Sequence, residues 1–167
     1  MEDRHSVRAF GEEPVDLEKL KRAIEIAQFT PSACNRQPWK TRIIANKELL
    51  NRILENQNGN SGFGQGIDKL LIITTDLSCF QKERELFQAF VDGGMYAESV
   101  LNALHYVEIA SIPLSAALTE RQEKNLRDAI HMKDSEVLIL FIGVGNYTKS
   151  CLTTKSTRKP SEIDVYE

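Results

Sequence analysis

Two uninterrupted apolar runs, KLLIITTD at 69–76 and SEVLILFIGVG at 135–145, constrain this chain more than any other feature. Both are apolar and of strand length, the first strongly β-branched, so each reads as a buried strand. Elsewhere the pattern has helical period. DLEKLKRAIEIAQF (16–29) puts Leu17, Leu20, Ala23, Ile24 and Ala27 on one face, with charges opposite. Asp16 is placed to cap that helix, and Pro31 to end it by disfavouring the helical conformation at Thr30. KTRIIA (40–45) reads as a short strand, KELLNRILEN (47–56) as a helix and QNGNSGFGQG (57–66) as a flexible Gly/Asn loop. A long helix is predicted over about 81–108. It contains Asp92-Gly93-Gly94, and paired glycines inside a helix cost roughly 1–2 kcal/mol against alanine. They mark either a break between two helices or the close approach of another backbone or a ligand. IPLSAALT (112–119) reads as a loop after Pro113, and TERQEKNLRDAIHM (119–132) as a helix capped by Thr119. No repeat or break in composition divides the chain, so one domain over 1–167 is expected. Helices outnumber strands, which gives an α+β class with helices packed around a small mixed sheet.

The totals narrow the function. A chain of 167 residues with 41% hydrophobic and 27% charged residues has enough to bury a real core and does not resemble a disordered one. A net charge of −3 gives no general reason to expect nucleic acid or an anionic membrane as partner. No apolar run approaches the ~20 residues of a transmembrane helix. The opening MEDRHSVRAF has no apolar segment, so no signal peptide is expected. Cys34, Cys79 and Cys151 are odd in number and form no CxxC pair, which fits a reducing cytoplasm better than a disulfide framework. His5, His105 and His131 do not cluster with cysteines or acids at ligand spacing, so no metal is predicted. His131 reads as lying near a helix end and His105 on a helix face.

Few motifs carry chemistry. GFGQG (62–66) lacks the G-x-G-x-x-G spacing of a dinucleotide fold, and a strand follows it instead of preceding it. In RHSVR (4–8), Arg4, Ser6 and Arg8 alternate, so in an extended segment all three point one way. Two guanidiniums and a hydroxyl match a phosphate; a solvated edge strand has the same pattern. Cys34 has no histidine near it in sequence and reads as packing rather than as a nucleophile. Glu83, Glu85 and Asp92 show no isolated carboxylate pair. TPSACNRQPW (30–39) is odder, since an exposed turn rarely carries a chain's only Trp and a core rarely carries Asn-Arg-Gln. It reads as a wall for something partly apolar and partly polar.

RHSVRAF, followed by a helix ending in TPSACNRQPW, resembles the opening of the nitroreductase-like, FMN-dependent oxidoreductases. Their pattern is roughly R-x-S-x-R-x-F, a helix, then P-S-x-x-N-x-Q-P-W. The likeness continues more loosely through DGGMYAESVLNAL, SIPL, the late helix with its strand LRDAIHMKDSEVLILFIGVG, and a basic tail with TRKP. Only Met1-Glu2-Asp3 precede the first motif where the family has a helix, so a short, N-terminally trimmed member is expected. The late loop VEIASIPLSAAL (107–118) has no glycine where the family's is Gly-rich.

The resemblance implies that Arg4, Ser6 and Arg8 hold the FMN phosphate and ribityl chain, with His5 beside the ring system. Arg158, with Lys155 or Lys159, adds a cation from the tail. The TPSACNRQPW turn comes from a second subunit of a homodimer, so the flavin site lies at the interface. There Pro31, Ser32 and Ala33 line the flavin edge, Asn35 donates to it, Gln37 belongs to the polar contacts and Trp39 anchors the turn. Asn60 and Ser115 are further candidates from the Gly/Asn loop and the late loop. No catalytic side chain is implied, because the flavin carries the hydride. NADH or NADPH reduces it and a small oxidised acceptor, such as a nitroaromatic or quinone, re-oxidises it in ping-pong order. The alternatives are a flavin-binding accessory or sensor with little turnover, and a dimeric scaffold that binds no flavin.

Overall fold

The computed structural model describes residues 3–85, 87–154 and 156–166. In chain order the elements are β1 (Phe10–Gly11), α1 (Leu17–Ala27), β2 (Trp39–Ile44), α2 (Lys47–Asn56), β3 (Lys69–Asp76), α3 (Gln88–Tyr106), β4 (Ala110–Leu114), α4 (Glu120–Ile130) and β5 (Glu136–Tyr147). β5 is the central strand. β3 pairs with it on one side and β2 lies beyond β3, while β4 and then β1 share its other edge. The α+β class is as expected. Every described pairing is antiparallel, however, where a mixed sheet was predicted. An apolar run reads the same in either direction, so the sequence carried no signal for strand sense.

Both long strands are apolar throughout because both sheet faces are covered. Successive side chains point to opposite faces, so Leu71 and Ile73 of β3 meet the cluster holding Leu20 and Ala23 of α1 with Tyr96, Val100 and Leu104 of α3. Leu70 and Ile72 meet the other, with Leu50, Ile53 and Leu54 of α2, Leu126 of α4 and Phe141. Local chemistry fixes the helix starts. Asp16 accepts from the Glu18 N–H, Asn46 from the Leu49 N–H, and Thr119 with Gln122 forms a capping box. His131 occupies the left-handed position that ends α4, and His105 sits in the last turn of α3.

Two expectations change here. The long helix starts at Gln88 instead of near 81, because Glu85 accepts the Gln81 and Lys82 N–H groups and closes a short 3-10 turn ahead of it. It then runs unbroken through Asp92-Gly93-Gly94. A Cβ on Gly93 would lie 2.7 Å from Ile139 Cγ1 and 2.9 Å from Thr75 Cγ2, so this glycine lets the helix settle onto the sheet. IPL of 112–114, read as loop, is the end of β4. Pro113 is tolerated there because, among the described residues, β4 pairs as a strand with β5 alone, and an edge strand can spare one N–H.

A buried ion pair ties the start of β5 to β2. Glu136 accepts from Arg42 Nη2 at 2.9 Å and from Thr74 Oγ1 at 2.8 Å. Burial pushes its carboxyl up, but Arg42 and Thr74 outweigh that and hold it below the ordinary 4.5. A depressed folded-state pKa contributes stability above the unfolded value, and the contribution disappears as pH falls through the folded one. Urea unfolding of Glu136→Gln is therefore expected to show a smaller loss of stability between neutral pH and about pH 3 than wild type. Equal acid sensitivity in the two proteins would contradict this.

Candidate functional site

The expected site residues fall into two groups. The first surrounds the N-terminal segment. Val7 is buried and its N–H donates to the Ser111 carbonyl at 3.0 Å, which pins the segment along β4. Alternate side chains then face away from the core: Ser6 is half-buried and Arg8 is exposed with its guanidinium 6.0 Å from the centre of the Phe63 ring. Arg4 is half-buried. Its Nη1 is fully buried and has no hydrogen-bond partner among the described residues. Tyr147 stands near it, with its hydroxyl 3.1 Å from His105 Nδ1. Burial and the Cys151 thiol push the Tyr147 phenol up, while Arg4 pulls it down. His5 is half-buried in the same segment.

The Gly/Asn loop closes against this group. Buried Gln57 accepts from the Gly59 N–H and donates to the Ser115 carbonyl, which joins the loop to the end of β4. Asn60 does not present its amide outward, as expected for a flavin contact. It donates to the carbonyls of Leu54 (2.7 Å) and Gln57 (2.8 Å), satisfying backbone left open where α2 ends. The Ser115 hydroxyl accepts from the Ala117 N–H, and Ser115 remains exposed. Arg158 lies exposed in the tail and donates to the Ser156 carbonyl. Among the described residues no hydrogen bond or ion pair joins it to Arg4 or Arg8, and Lys155 lies outside them.

The second group is the turn between α1 and β2. Cys34 (φ 53°), Asn35 (φ 55°) and Gln37 (φ 48°) are all left-handed, although none is glycine. Such conformations cost on the order of 1–3 kcal/mol each and persist only where their surroundings over-determine them. Here the surroundings are specific. The buried carboxylate of Asp92 accepts the Ala33 N–H (3.1 Å to Oδ2) and Gln88 Nε2 (2.8 Å to Oδ1). Ser32 Oγ accepts the Gln37 N–H at 2.9 Å. Arg36 pairs with Glu85 at 2.9 Å and lies over the Phe80 ring. Pro38 and Trp39 are buried, and the indole stacks on Tyr96 with ring centres 4.7 Å apart and planes 5° from parallel. Pro31 and Asn35 are exposed and Ser32 and Ala33 half-buried. Gln37 is spent inside the turn, bonded to both Gln28 and Asn35. Asp92 and Gln28 were not among the expected site residues. The signals were present, since a mid-helix Asp before paired glycines and a Trp needing an acceptor both ask for a partner.

One chain does not bring the two groups together. Phe10 pairs with Tyr147 at the end of β5, whereas Trp39 pairs with Thr75 and Thr75 with Val137 near its start. That stretch of strand spans roughly 30 Å at ~3.3 Å per residue. A cleft of about 520 Å³ between α2 and α4 is lined by Arg52, Phe141 and Leu126 among others, and none of the expected site residues faces it. Among the described residues no three His, Cys, Asp or Glu side chains gather at metal-ligand spacing, and no helix is long and apolar enough to cross a membrane.

The fold is α+β, and the two motif groups lie toward opposite ends of its central strand. The first 61 residues match the model described as the nitroreductase family, and the chain resembles that family. A Streptococcus pyogenes protein with a provisional NAD(P)H nitroreductase name is 49% identical over 45 residues, 27% of this chain and 22% of that protein. The Bacillus subtilis FMN reductase [NAD(P)H] is 25% identical over 135 residues, 72% of this chain and 54% of that protein. Each match covers less than two thirds of the relative's own length. A Desulfovibrio desulfuricans structure, provisionally named a nitroreductase and solved in complex with FMN, superimposes at TM-score 0.78. It has 18% identity and covers 94% of this chain and 87% of that one.

Proposed function

We propose that the protein is an FMN-dependent NAD(P)H oxidoreductase that reduces a small oxidised acceptor in ping-pong order, at a site shared by two copies of the chain. The observation that carries this is the buried Nη1 of Arg4, which has no partner among the described residues, in the same segment as Ser6 and Arg8. A buried guanidinium N–H left without an acceptor costs about 1–3 kcal/mol, and an anionic oxygen removes that cost. The residues present therefore fit a phosphate. The relatives support FMN as its carrier, through the B. subtilis FMN reductase and the FMN-bound D. desulfuricans structure.

Two copies are needed because the turn that would line the ring lies at the other end of the sheet from Arg4. Phe87, Phe90, Val91 and Met95 are exposed at the start of α3, next to that turn, and Leu152, Ile163, Val165 and Tyr166 are exposed in the tail. Such a face fits a second copy of this chain better than water. When bound, FMN supplies reversible two-electron hydride chemistry, and the pocket serves donor and acceptor in turn. The protein's part is to hold the phosphate with Arg4, Ser6 and Arg8, and to present the rigid 31–37 turn to the ring. A reducing cytoplasm suits the three unpaired cysteines.

Anaerobic addition of NADH or NADPH is expected to bleach the protein-bound flavin, and a nitroaromatic or quinone to restore it. Bound flavin unreactive to both nucleotides would replace the enzyme reading with that of a flavin-binding accessory. Light scattering is expected to give a dimer mass; a monomer that still holds flavin would remove the shared site.

A further inference from the structure

We propose that the indole of Trp39, acting through Gln28 and Gln37, fixes Asn35 as a hydrogen-bond donor aimed out of the turn toward an acceptor atom on the rim of the bound isoalloxazine. The flavin half of this statement rests on the function proposed above. The relay itself stands on the geometry of the chain.

An indole N–H donates and never accepts. Trp39 is buried and stacked on Tyr96, so its Nε1–H has a fixed direction, and it meets Gln28 Oε1 at 3.1 Å. That settles which end of the Gln28 amide faces Trp39. Gln28 Nε2 then donates to Gln37 Oε1 at 3.0 Å. Gln37 Nε2 in turn donates to Asn35 Oδ1 at 3.0 Å and to the Asn35 carbonyl at 3.3 Å. Reversing any one amide would set donor against donor or acceptor against acceptor along the line. Amide orientations are ordinarily ambiguous, but a donor-only group at the buried end makes this series single-valued. Asn35 is left with its oxygen engaged and its Nδ2 without an acceptor among the described residues. Asn35 is exposed, and its backbone is left-handed (φ 55°).

The ligand atom opposite is therefore an acceptor, a carbonyl oxygen or unprotonated ring nitrogen. A rim acceptor of this kind gains negative charge on reduction, so the donor binds the reduced ring more tightly than the oxidised ring and raises the midpoint potential. Gln28, Gln37 and Trp39 are positioning residues in this scheme, since they act through Asn35.

Gln37→Glu tests it. The carboxylate keeps the shape and still accepts from Gln28, but it has no donor for Asn35. Asn35 must then turn its Nδ2 inward and its Oδ1 toward the ligand. FMN affinity is expected to fall about tenfold or more. Each tenfold of extra loss by the reduced form lowers the two-electron midpoint potential by about 30 mV. The new charge could act on the flavin directly, so the same change is made in an Asn35→Gly background, glycine being at ease at this φ. If the effect passes through Asn35, Gln37→Glu moves the potential in wild type and barely moves it in Asn35→Gly. An equal shift in both backgrounds, or no shift in either, would overturn the proposal.

A second readout needs no flavin. The chain has one Trp, so its indole gives a single cross-peak in a ¹H–¹⁵N spectrum of the apo protein. Gln28→Leu is expected to move that peak and speed its exchange with water. An unmoved peak would overturn the relay whether or not FMN binds. Wild-type protein that takes up no FMN, with a peak that does move, would sink the flavin reading and leave the relay standing.

Discussion

Replacing Arg4 and Arg8 together by alanine is expected to raise the FMN dissociation constant by at least about a hundredfold while leaving the fold intact. A phosphate monoester carries close to two negative charges, and each hydrogen bond to a charged group contributes about 1.5–3 kcal/mol. Losing two such contacts corresponds to roughly 10²–10⁴ in affinity. The fold survives because neither arginine supports it. Arg4 Nη1 has no internal partner among the described residues, so removing it relieves a buried donor. Arg8 is exposed and loses a contact with the Phe63 ring at 6.0 Å, worth about 0.5 kcal/mol at such a site. Flavin fluorescence titration gives the affinity, and circular dichroism with a melting curve reports the fold. A folded double variant with wild-type affinity would show that the phosphate is held elsewhere.

Asp92→Ala is expected to cost about 2–3 kcal/mol of stability and to loosen the 31–37 turn. Its carboxylate is 1% exposed, so the substitution removes a buried acceptor shared by the Ala33 N–H and Gln88 Nε2. The Ala33 N–H opens the 3-10 turn in which Cys34 and Asn35 are left-handed, so the turn loses the bond that offsets its strain. Urea unfolding measures the first effect. Near-ultraviolet dichroism of Trp39, at the end of the turn, measures the second. Asp92→Asn retains one acceptor and should cost clearly less. A loss below about 0.5 kcal/mol for the alanine variant would mean that the turn holds its shape without Asp92.

Much of the fold was legible because the patterns were strong. KLLIITTD and KELLNRILEN coincide with β3 and α2, and Asp16 and Thr119 cap the helices that their positions indicated. The sense of the strands was not legible, nor was β4, whose proline reads as a breaker until its edge position is known. Gly93 could not be resolved from sequence, since a helix break and a close approach to the sheet ask for the same residue. Within the candidate site, residue types marked Arg4, Ser6, Arg8 and the 31–37 turn. Side-chain roles were another matter. Gln37 and Asn60 carry amides that suit a ligand equally well, and only the packed structure shows both spent on their own loops. Asp92 and Gln28 act across 59 and 9 residues, a separation that local patterns do not register.

The visible absorbance spectrum of the purified protein, saturated with FMN and then desalted, tests the central claim most directly. Retained, stoichiometric flavin bands, shifted from those of free FMN, are the predicted result. Colourless protein that is nonetheless folded and dimeric would contradict it, and would leave a scaffold built on the same sheet.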